Sequence, residues 1–152
     1  MNPYSMAMAC AVLVACVAAQ AADGVGDGII ERTCAPYDGP AFEVRAKRAD
    51  GQLIKLMGMD ALQDKPSGTW LVKFGAAPGS GSAALCDESK PVATRCALGE
   101  SGSFSIKPLT STTWDVSMSV LFVQGDAASR VSAHFTAVLP KDSKPDRKQP
   151  RC

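Results

Sequence analysis

Strict alternation of apolar and polar residues marks two neighbouring segments in the last third of the chain. A period of two is the signature of a β-strand that buries one face. The break between the segments, Gly125-Asp126-Ala127-Ala128, predicts a β-hairpin closed by a four-residue loop. In this register Gln124 faces Ser129, and all the alternating apolar residues lie on one side of the sheet. These residues are Trp114, Val116, Met118, Val120 and Phe122 in the first arm, and Val131, Ala133, Phe135, Ala137 and Leu139 in the second.

A second hairpin is indicated by Asp50-Gly51, a dipeptide that favours tight turns. A two-residue loop at this point would mix polar and apolar partners across the two strands. A three-residue loop, residues 49–51, instead pairs Ala46 with Ile54 and keeps apolar side chains together. The sequence therefore predicts the three-residue loop, with Gly51 in the left-handed region.

Shorter segments with strand-like patterns run through the rest of the chain, and glycine, proline and aspartate separate them. The glycine-rich stretch from Gly75 to Ala83 predicts an exposed loop. Together the segments predict a single all-β domain of about eight short, mostly antiparallel strands. A two-sheet antiparallel β-sandwich is the favoured architecture, and a small antiparallel barrel is the alternative. The further strands are Gly28–Cys34, Phe42–Lys47, a segment ending at Met59, Thr69–Phe74 with Trp70, Val72 and Phe74 inward, Ala84–Cys86, Val92–Leu98 and Phe104–Ile106.

The N-terminal segment has the composition of an export signal. Residues from Met6 to Ala19 are continuously apolar, a length that fits a secretory signal peptide better than a membrane-spanning helix. A signal over residues 1–21 leaves a mature domain of residues 22–152. The tetrapeptide Leu13-Val14-Ala15-Cys16 resembles a bacterial lipobox, so a lipid anchor at Cys16 is the competing address. We therefore expect a periplasmic or secreted protein, with the Cys16 lipoprotein as the alternative.

Four cysteines remain in the exported domain after either processing route: Cys34, Cys86, Cys96 and Cys152. An even number of cysteines in an exported chain predicts disulfides, here two. Cys86 and Cys96 flank a turn-forming segment and are the easiest pair to join, which leaves Cys34 for Cys152. Zinc binding is the minor alternative, because the sequence contains no C-x-x-C pair.

The charge of the chain excludes one class of partner. With 16 Lys+Arg and 15 Asp+Glu residues, the protein has no overall field that attracts nucleic acid. The C-terminal tail, residues 140–152, is basic and contains three prolines. Acidic residues are interspersed in the tail, and no aromatic residue is available there to stack on bases. The tail is therefore predicted to be an extended, soluble segment that carries Cys152.

The single histidine, His134, is the residue that most suggests catalysis. The predicted hairpin register places His134 opposite Ser119, with Asp115 further along the same polar face. A hydrolase needs a hydroxyl within reach of the base and a carboxylate that orients the base. Asp115 lies about 13 Å from Ser119 at the usual strand rise, and a flat strand supplies no oxyanion hole. We therefore prefer a hydrogen-bonded surface histidine, and a Ser119/His134 hydrolase is the alternative.

Other sequence motifs that carry chemistry are absent. The chain contains no dinucleotide-binding glycine motif, P-loop, zinc-protease motif or EF-hand, so we expect no cofactor, no metal and no enzymatic activity. The favoured function is an exported non-catalytic binding domain for an envelope or extracellular protein. One form of this hypothesis is an inhibitor that inserts a loop into a hydrolase. The alternatives are a structural accessory of a cell-envelope or secretion assembly and the Ser119/His134 hydrolase.

Overall fold

The computed structural model describes residues 24–59, 66–75 and 77–140. The predicted signal peptide, Cys16 and Cys152 lie outside these residues. Within them, the regular structure consists of eight strands and one 3-10 turn, Val92–Thr94, which confirms the predicted all-β class. None of the described residues forms a helix with the length and apolar character needed to cross a membrane. The strands are β1 (Gly28–Cys34), β2 (Pro40–Lys47), β3 (Leu53–Met59), β4 (Gly68–Lys73), β5 (Gly81–Cys86), β6 (Cys96–Pro108), β7 (Thr113–Gln124) and β8 (Ala127–Val138).

The strands are hydrogen-bonded in the order β1, β2, β3, β5, β4, β6, β7, β8. Most neighbours are antiparallel, and two short contacts are parallel. One joins β4 to β5 at Val72 and Gly81. The other joins β1 to β8, where Gly28 pairs with Ala137 and Ile29 with Val138. This second contact connects the last strand to the first, so the pairing order returns to its start.

The apolar faces of the strands meet in one main core. Three aromatic rings pack in its centre: Phe42 contacts Trp70 edge-on at a centroid distance of 4.9 Å, and Trp70 stacks on Phe104 at 5.5 Å. Edge-to-face and offset contacts of this kind are favourable geometries for aromatic pairs. Apolar residues of the C-terminal hairpin are buried in the same core, as their alternation predicts. They are Trp114, Val116, Met118, Val120, Phe122, Val131, Ala133, Phe135 and Ala137.

The C-terminal hairpin is present as predicted, but its predicted register is wrong by two residues. Gln124 pairs with Ala127, so the loop contains two residues, Gly125 and Asp126, instead of four. Gly125 has a φ of +58°, the value that the first central position of a type II′ turn requires. A shift of two residues leaves every side chain on its own face of the sheet. Burial therefore could not distinguish the two registers, and the turn geometry decides between them.

The hairpin of β2 and β3 confirms the other register prediction. Ala46 pairs with Ile54, and the Arg48 amide donates a hydrogen bond to the Gln52 carbonyl at 2.8 Å, so residues 49–51 form the loop. Gly51 has a φ of +86°, the left-handed conformation predicted for it.

The prediction around β4 and β5 is wrong at two boundaries. β4 ends at Lys73, and Phe74 is 78% exposed although the alternation placed it inside. The strand ends here because Gly75 takes a φ of +92°, which is incompatible with an extended chain. β5 begins at Gly81, which shortens the predicted Gly75 to Ala83 loop.

The prediction for residues 92–106 also needs correction. Val92–Thr94 is a 3-10 turn, so the next strand begins at Cys96 instead of Val92. That strand, β6, then continues to Pro108 and includes the segment Phe104–Ile106 that was predicted as a separate strand. β6 is long because two strands share its edge: β5 pairs with its beginning and β4 with its later part.

Candidate functional site

The outer surface of β6, β7 and β8 carries a group of small hydroxyl side chains, which we call the hydroxyl face. These side chains hydrogen-bond to one another across the strands: Ser105 Oγ lies 2.7 Å from Ser117 Oγ, and Ser132 Oγ donates to Ser119 Oγ at 3.1 Å. Alternate residues of the same strands are buried in the core, which fixes the outward direction of the hydroxyls. The hydroxyl face consists of Ser103, Ser105, Ser117, Ser119, Ser132 and Thr136.

His134 lies on this surface, opposite Ser117 instead of the predicted Ser119, because the hairpin register differs by two. The structure brings His134 together with Asp115, whose Oδ1 lies 2.5 Å from His134 Nε2. This contact is diagonal, since Thr136 is the direct partner of Asp115. The His134 side chain is 68% exposed. The pair therefore holds a carboxylate and an imidazole in contact on an open surface.

A concave site lies at the end of the sheet where Cys86 and Cys96 are found, and we call it the end cavity. It has a volume of about 150 Å³. Residues of four strands, β5 to β8, the connections between them and Gln52 before β3 surround it. Two of its walls differ in chemical character. The apolar wall is formed by Leu85, Ala97 and Phe122, and the charged wall by Asp87, Lys90 and Arg95.

A disulfide joins the two strands at the base of this cavity. Cys86 and Cys96 are direct partners in the pairing of β5 with β6, and they are bonded as predicted. Their chain neighbours 85, 87, 95 and 97 all line the end cavity, so the bond holds both walls together. The second predicted disulfide, Cys34–Cys152, includes a residue outside the described ranges and stays a prediction.

Hydrogen bonds within the 87–95 connection hold the charged wall in place. The Asp87 amide donates to the Arg95 carbonyl at 2.8 Å, which closes the loop at its base. The Ser89 amide and hydroxyl both donate to Asp87 Oδ1, at 3.0 and 2.6 Å. These bonds, together with the Lys90 ammonium, hold the pKa of Asp87 below its ordinary value. Asp87 is therefore a carboxylate that already has its partners within its own loop.

Arg95 is the residue of the charged wall with the greatest capacity to bind a ligand. Its Nε donates to the Lys90 carbonyl at 3.3 Å, which fixes the orientation of the guanidinium. Lys90 Nζ lies 3.7 Å from Asp87 Oδ2, whereas no ion pair of Arg95 occurs among the described residues. A guanidinium carries five N–H donors, so most of those of Arg95 remain available to a bound group.

The hairpin of β7 and β8 lines the cavity on its other side. Gln124 Nε2 donates to the Thr94 carbonyl at 2.6 Å, which links this hairpin to the 87–95 connection. Ala127, Ala128 and Ser129 at the start of β8 complete the lining. Their small side chains leave the cavity open at this edge.

A pair of carboxylates on β1 and β2 was not predicted from the sequence. Glu31 and Glu43 are direct partners across the two strands. Arg45 forms ion pairs with both, through Nη2 with Glu31 and through Nε with Glu43 at 3.0 Å. Burial raises the pKa of Glu43 above its ordinary value, and the Lys55 ammonium opposes this shift. Only the pairing of β1 with β2 brings the carboxylates together, so their spacing in the sequence carries no signal.

The described residues contain no group of three or more His, Cys, Asp or Glu side chains that could hold a metal ion. Comparisons of the chain with protein-family models, curated proteins and solved structures found no match. The candidate sites are therefore judged on their geometry and chemistry.

Proposed function

We propose that this protein is an exported, non-catalytic binding domain that engages its partner at the end cavity. The observation that carries the proposal is the cavity itself, in which apolar and charged walls meet and a disulfide joins the two ends of the connection that bears the charged wall. Protein binding sites commonly combine an apolar surface with a few well-placed polar groups. The end cavity has both features on a fixed framework.

The proposed architecture is a closed barrel, which was the alternative to the sandwich. The contact between β1 and β8 supports a closed ring of strands, and one core cluster includes side chains from all eight strands. Small barrels fill their interior with side chains, as the packed rings of Phe42, Trp70 and Phe104 do here. A filled interior leaves the ends and the outer faces for binding.

The geometry around His134 supports a binding domain over a hydrolase. A serine nucleophile must share its hydroxyl with the base, but Ser119 is hydrogen-bonded to Ser132 and Ser117 to Ser105. The imidazole also stands on an open surface, where water screens the charges that an oxyanion site must stabilise.

Export is supported by the disulfide, because such bonds persist mainly outside the reducing cytosol. Both half-cystines lie on strands that are paired directly, and Cys86 is buried. The Cys86–Cys96 bond thus joins two paired strands of the folded domain, as a structural disulfide does.

Site-specific photocrosslinking in the producing cells tests the proposal. A photoreactive phenylalanine analogue replaces Ala128, which is exposed at the edge of the end cavity, or His134 on the hydroxyl face as the matched control. We expect a defined crosslinked species from position 128 and none from position 134. Crosslinking from position 134 alone, or from neither position, would overturn the assignment of the end cavity.

A second measurement tests the non-catalytic part of the proposal. The purified exported protein is assayed against ester, amide and glycoside substrates beside the variant His134→Ala. We expect no turnover from either protein. Turnover that disappears in His134→Ala would establish the hydrolase alternative instead.

A further inference from the structure

We propose that the end cavity binds a carboxylate that bears a small apolar group. The carboxylate contacts the Arg95 guanidinium, and the apolar group packs against Leu85 and the partly exposed Ala97. This inference rests on the proposed function for its choice of site, and it adds the chemical class of the ligand.

The charged wall of the cavity selects an anion. Its three charged residues, Asp87, Lys90 and Arg95, carry one negative and two positive charges. Asp87 accepts two hydrogen bonds from Ser89 and lies near Lys90, so its charge is satisfied within the loop. Arg95 is half-buried, and its guanidinium offers a planar pair of donors. This fork matches the two oxygens of a carboxylate, and partial burial strengthens the attraction relative to a fully exposed site.

The apolar wall determines the second part of the ligand. Leu85 and Phe122 are 7% and 1% exposed, so their side chains belong to the core, and the apolar surface open to a ligand comes mainly from Ala97, Ala127 and Ala128. The volume of about 150 Å³ is enough for one benzene-sized group, although this cavity, unlike an enclosed apolar one, is open to solvent at one edge and has polar walls as well. A single ring or a branched chain of about six carbon atoms therefore fits the space.

The cavity disfavours a more highly charged ligand. Gln52, Gln124 and Ser129 add polar groups to the two cations of this cavity, but the Asp87 carboxylate also lines it and repels a phosphate dianion more strongly than a single carboxylate. Burying part of a dianion against the apolar wall would also cost more free energy than burying a carboxylate with an apolar substituent. The ligand is therefore a monocarboxylate with one apolar arm.

Two sources could supply this chemistry: a free small carboxylic acid, or the C-terminal carboxylate of a polypeptide that ends in an apolar residue. The open edge at Ala127 and Ala128 leaves room for a chain to leave the cavity. The experiment below includes both sources.

NMR titration of the isotope-labelled exported protein, with its disulfides intact, tests the proposal. The probes are benzoate, benzyl alcohol, which has the ring without the charge, and acetate, which has the charge without the ring. We expect saturable shifts around the cavity with benzoate, and affinities at least about tenfold weaker for the other two probes. Absence of saturable shifts with benzoate, or equal binding of benzyl alcohol, would overturn the proposal.

Variants of Arg95 distinguish a bidentate contact between its guanidinium and the carboxylate from simple attraction by a positive charge. Arg95→Gln should weaken benzoate binding by about tenfold or more, and Arg95→Lys should give an intermediate loss because it keeps the charge without the fork. Arg130→Gln, at an exposed position of β8, is the matched control and should bind as the unchanged protein does. Spectra of the free variants establish that each remains folded. Benzoate binding that survives Arg95→Gln would show that Arg95 is not the carboxylate contact.

A titration with peptides distinguishes the two sources of the carboxylate. An acetylated tripeptide ending in phenylalanine is compared with the same peptide carrying a C-terminal amide. If the free-acid peptide binds as well as benzoate and the amide peptide does not, the ligand is a polypeptide C-terminus. If benzoate binds and neither peptide does, the ligand is a small acid. Crosslinking at position 128 without any carboxylate binding would refute this ligand class while the proposed function stands.

Discussion

Removal of the Cys86–Cys96 disulfide should destabilise the protein mainly by increasing the conformational entropy of the unfolded chain. The bond joins residues separated by 10 positions, and the chain-entropy relation gives about 2.7 kcal/mol for a loop of this length at 25 °C. The double variant Cys86→Ala/Cys96→Ala is preferred to serine replacements because Cys86 is only 1% exposed. A buried hydroxyl would add its own desolvation cost. The folded loop should persist, since the Asp87 amide still donates to the Arg95 carbonyl.

Equilibrium denaturation followed by tryptophan fluorescence measures this loss, because Trp70 and Trp114 are both buried. We expect the free energy of unfolding to fall by about 2 to 3 kcal/mol and the denaturant m-value to rise slightly, as the unfolded chain expands. The measurement is made without reductant, so that other disulfides are unaffected. A loss below about 1 kcal/mol with an unchanged m-value would refute the argument from loop closure.

Three further substitutions and one control substitution test individual features of the fold. His134→Ala should change the free energy of unfolding by no more than about 0.5 kcal/mol, because an exposed pair with Asp115 contributes little; a larger loss in thermal or chemical denaturation would contradict this. Gly102→Ala should cost roughly 2 to 4 kcal/mol, because Gly102 has a φ of +127° and a Cβ there would lie 2.2 Å from a backbone oxygen. Gly125→Ala is its matched control, with positive φ but open space, and should cost about 1 to 2 kcal/mol in the same assay, from backbone strain alone. Equal losses would show that the close approach at Gly102 is unimportant. Glu43 binds its proton more tightly in the folded state, so its contribution to stability is lost as pH rises from 4.5 through its raised pKa. The unfolding free energy of Glu43→Gln minus that of the wild type should therefore increase between about pH 4 and about pH 7. A constant difference would argue against a pKa of Glu43 that burial raises.

Local alternation predicted the strands well wherever one face is buried and the other is solvated. The hairpin of β7 and β8 is the clearest case, with Trp114 and Val116 inside and Asp115 outside. The same pattern could not fix the hairpin register, because a shift of two residues preserves every face. That error moved His134 from its true partner Ser117 to Ser119 and hid its proximity to Asp115.

The end cavity was not predictable because its parts come from separate regions of the chain. Leu85, Arg95 and Phe122 meet only when β5, β6 and β7 pair. The predicted strand at Val92–Leu98 also concealed the turn that presents Arg95. Only the cysteine spacing indicated part of this site in advance. A disulfide between Cys86 and Cys96 requires the residues next to them in the chain to lie close together.

The contact between β1 and β8 is likewise a long-range feature. It consists of two residue pairs, Gly28 with Ala137 and Ile29 with Val138, and no local pattern shows which distant strand an edge strand will pair with. Sequence patterns therefore predicted most strands and the first hairpin loop, whereas this contact and the cavity depend on tertiary pairing.

Quantitative photocrosslinking at position 128 in three backgrounds tests the central claim most directly. The backgrounds are the otherwise unchanged protein, Arg95→Gln in the end cavity and His134→Ala on the hydroxyl face. We expect a crosslink yield that falls about tenfold or more with Arg95→Gln, as loss of a charge-assisted bidentate contact implies, and that stays constant with His134→Ala. An undiminished yield with Arg95→Gln would refute the Arg95 contact, and a yield that is lost with His134→Ala instead would contradict the assignment of the end cavity as the binding site.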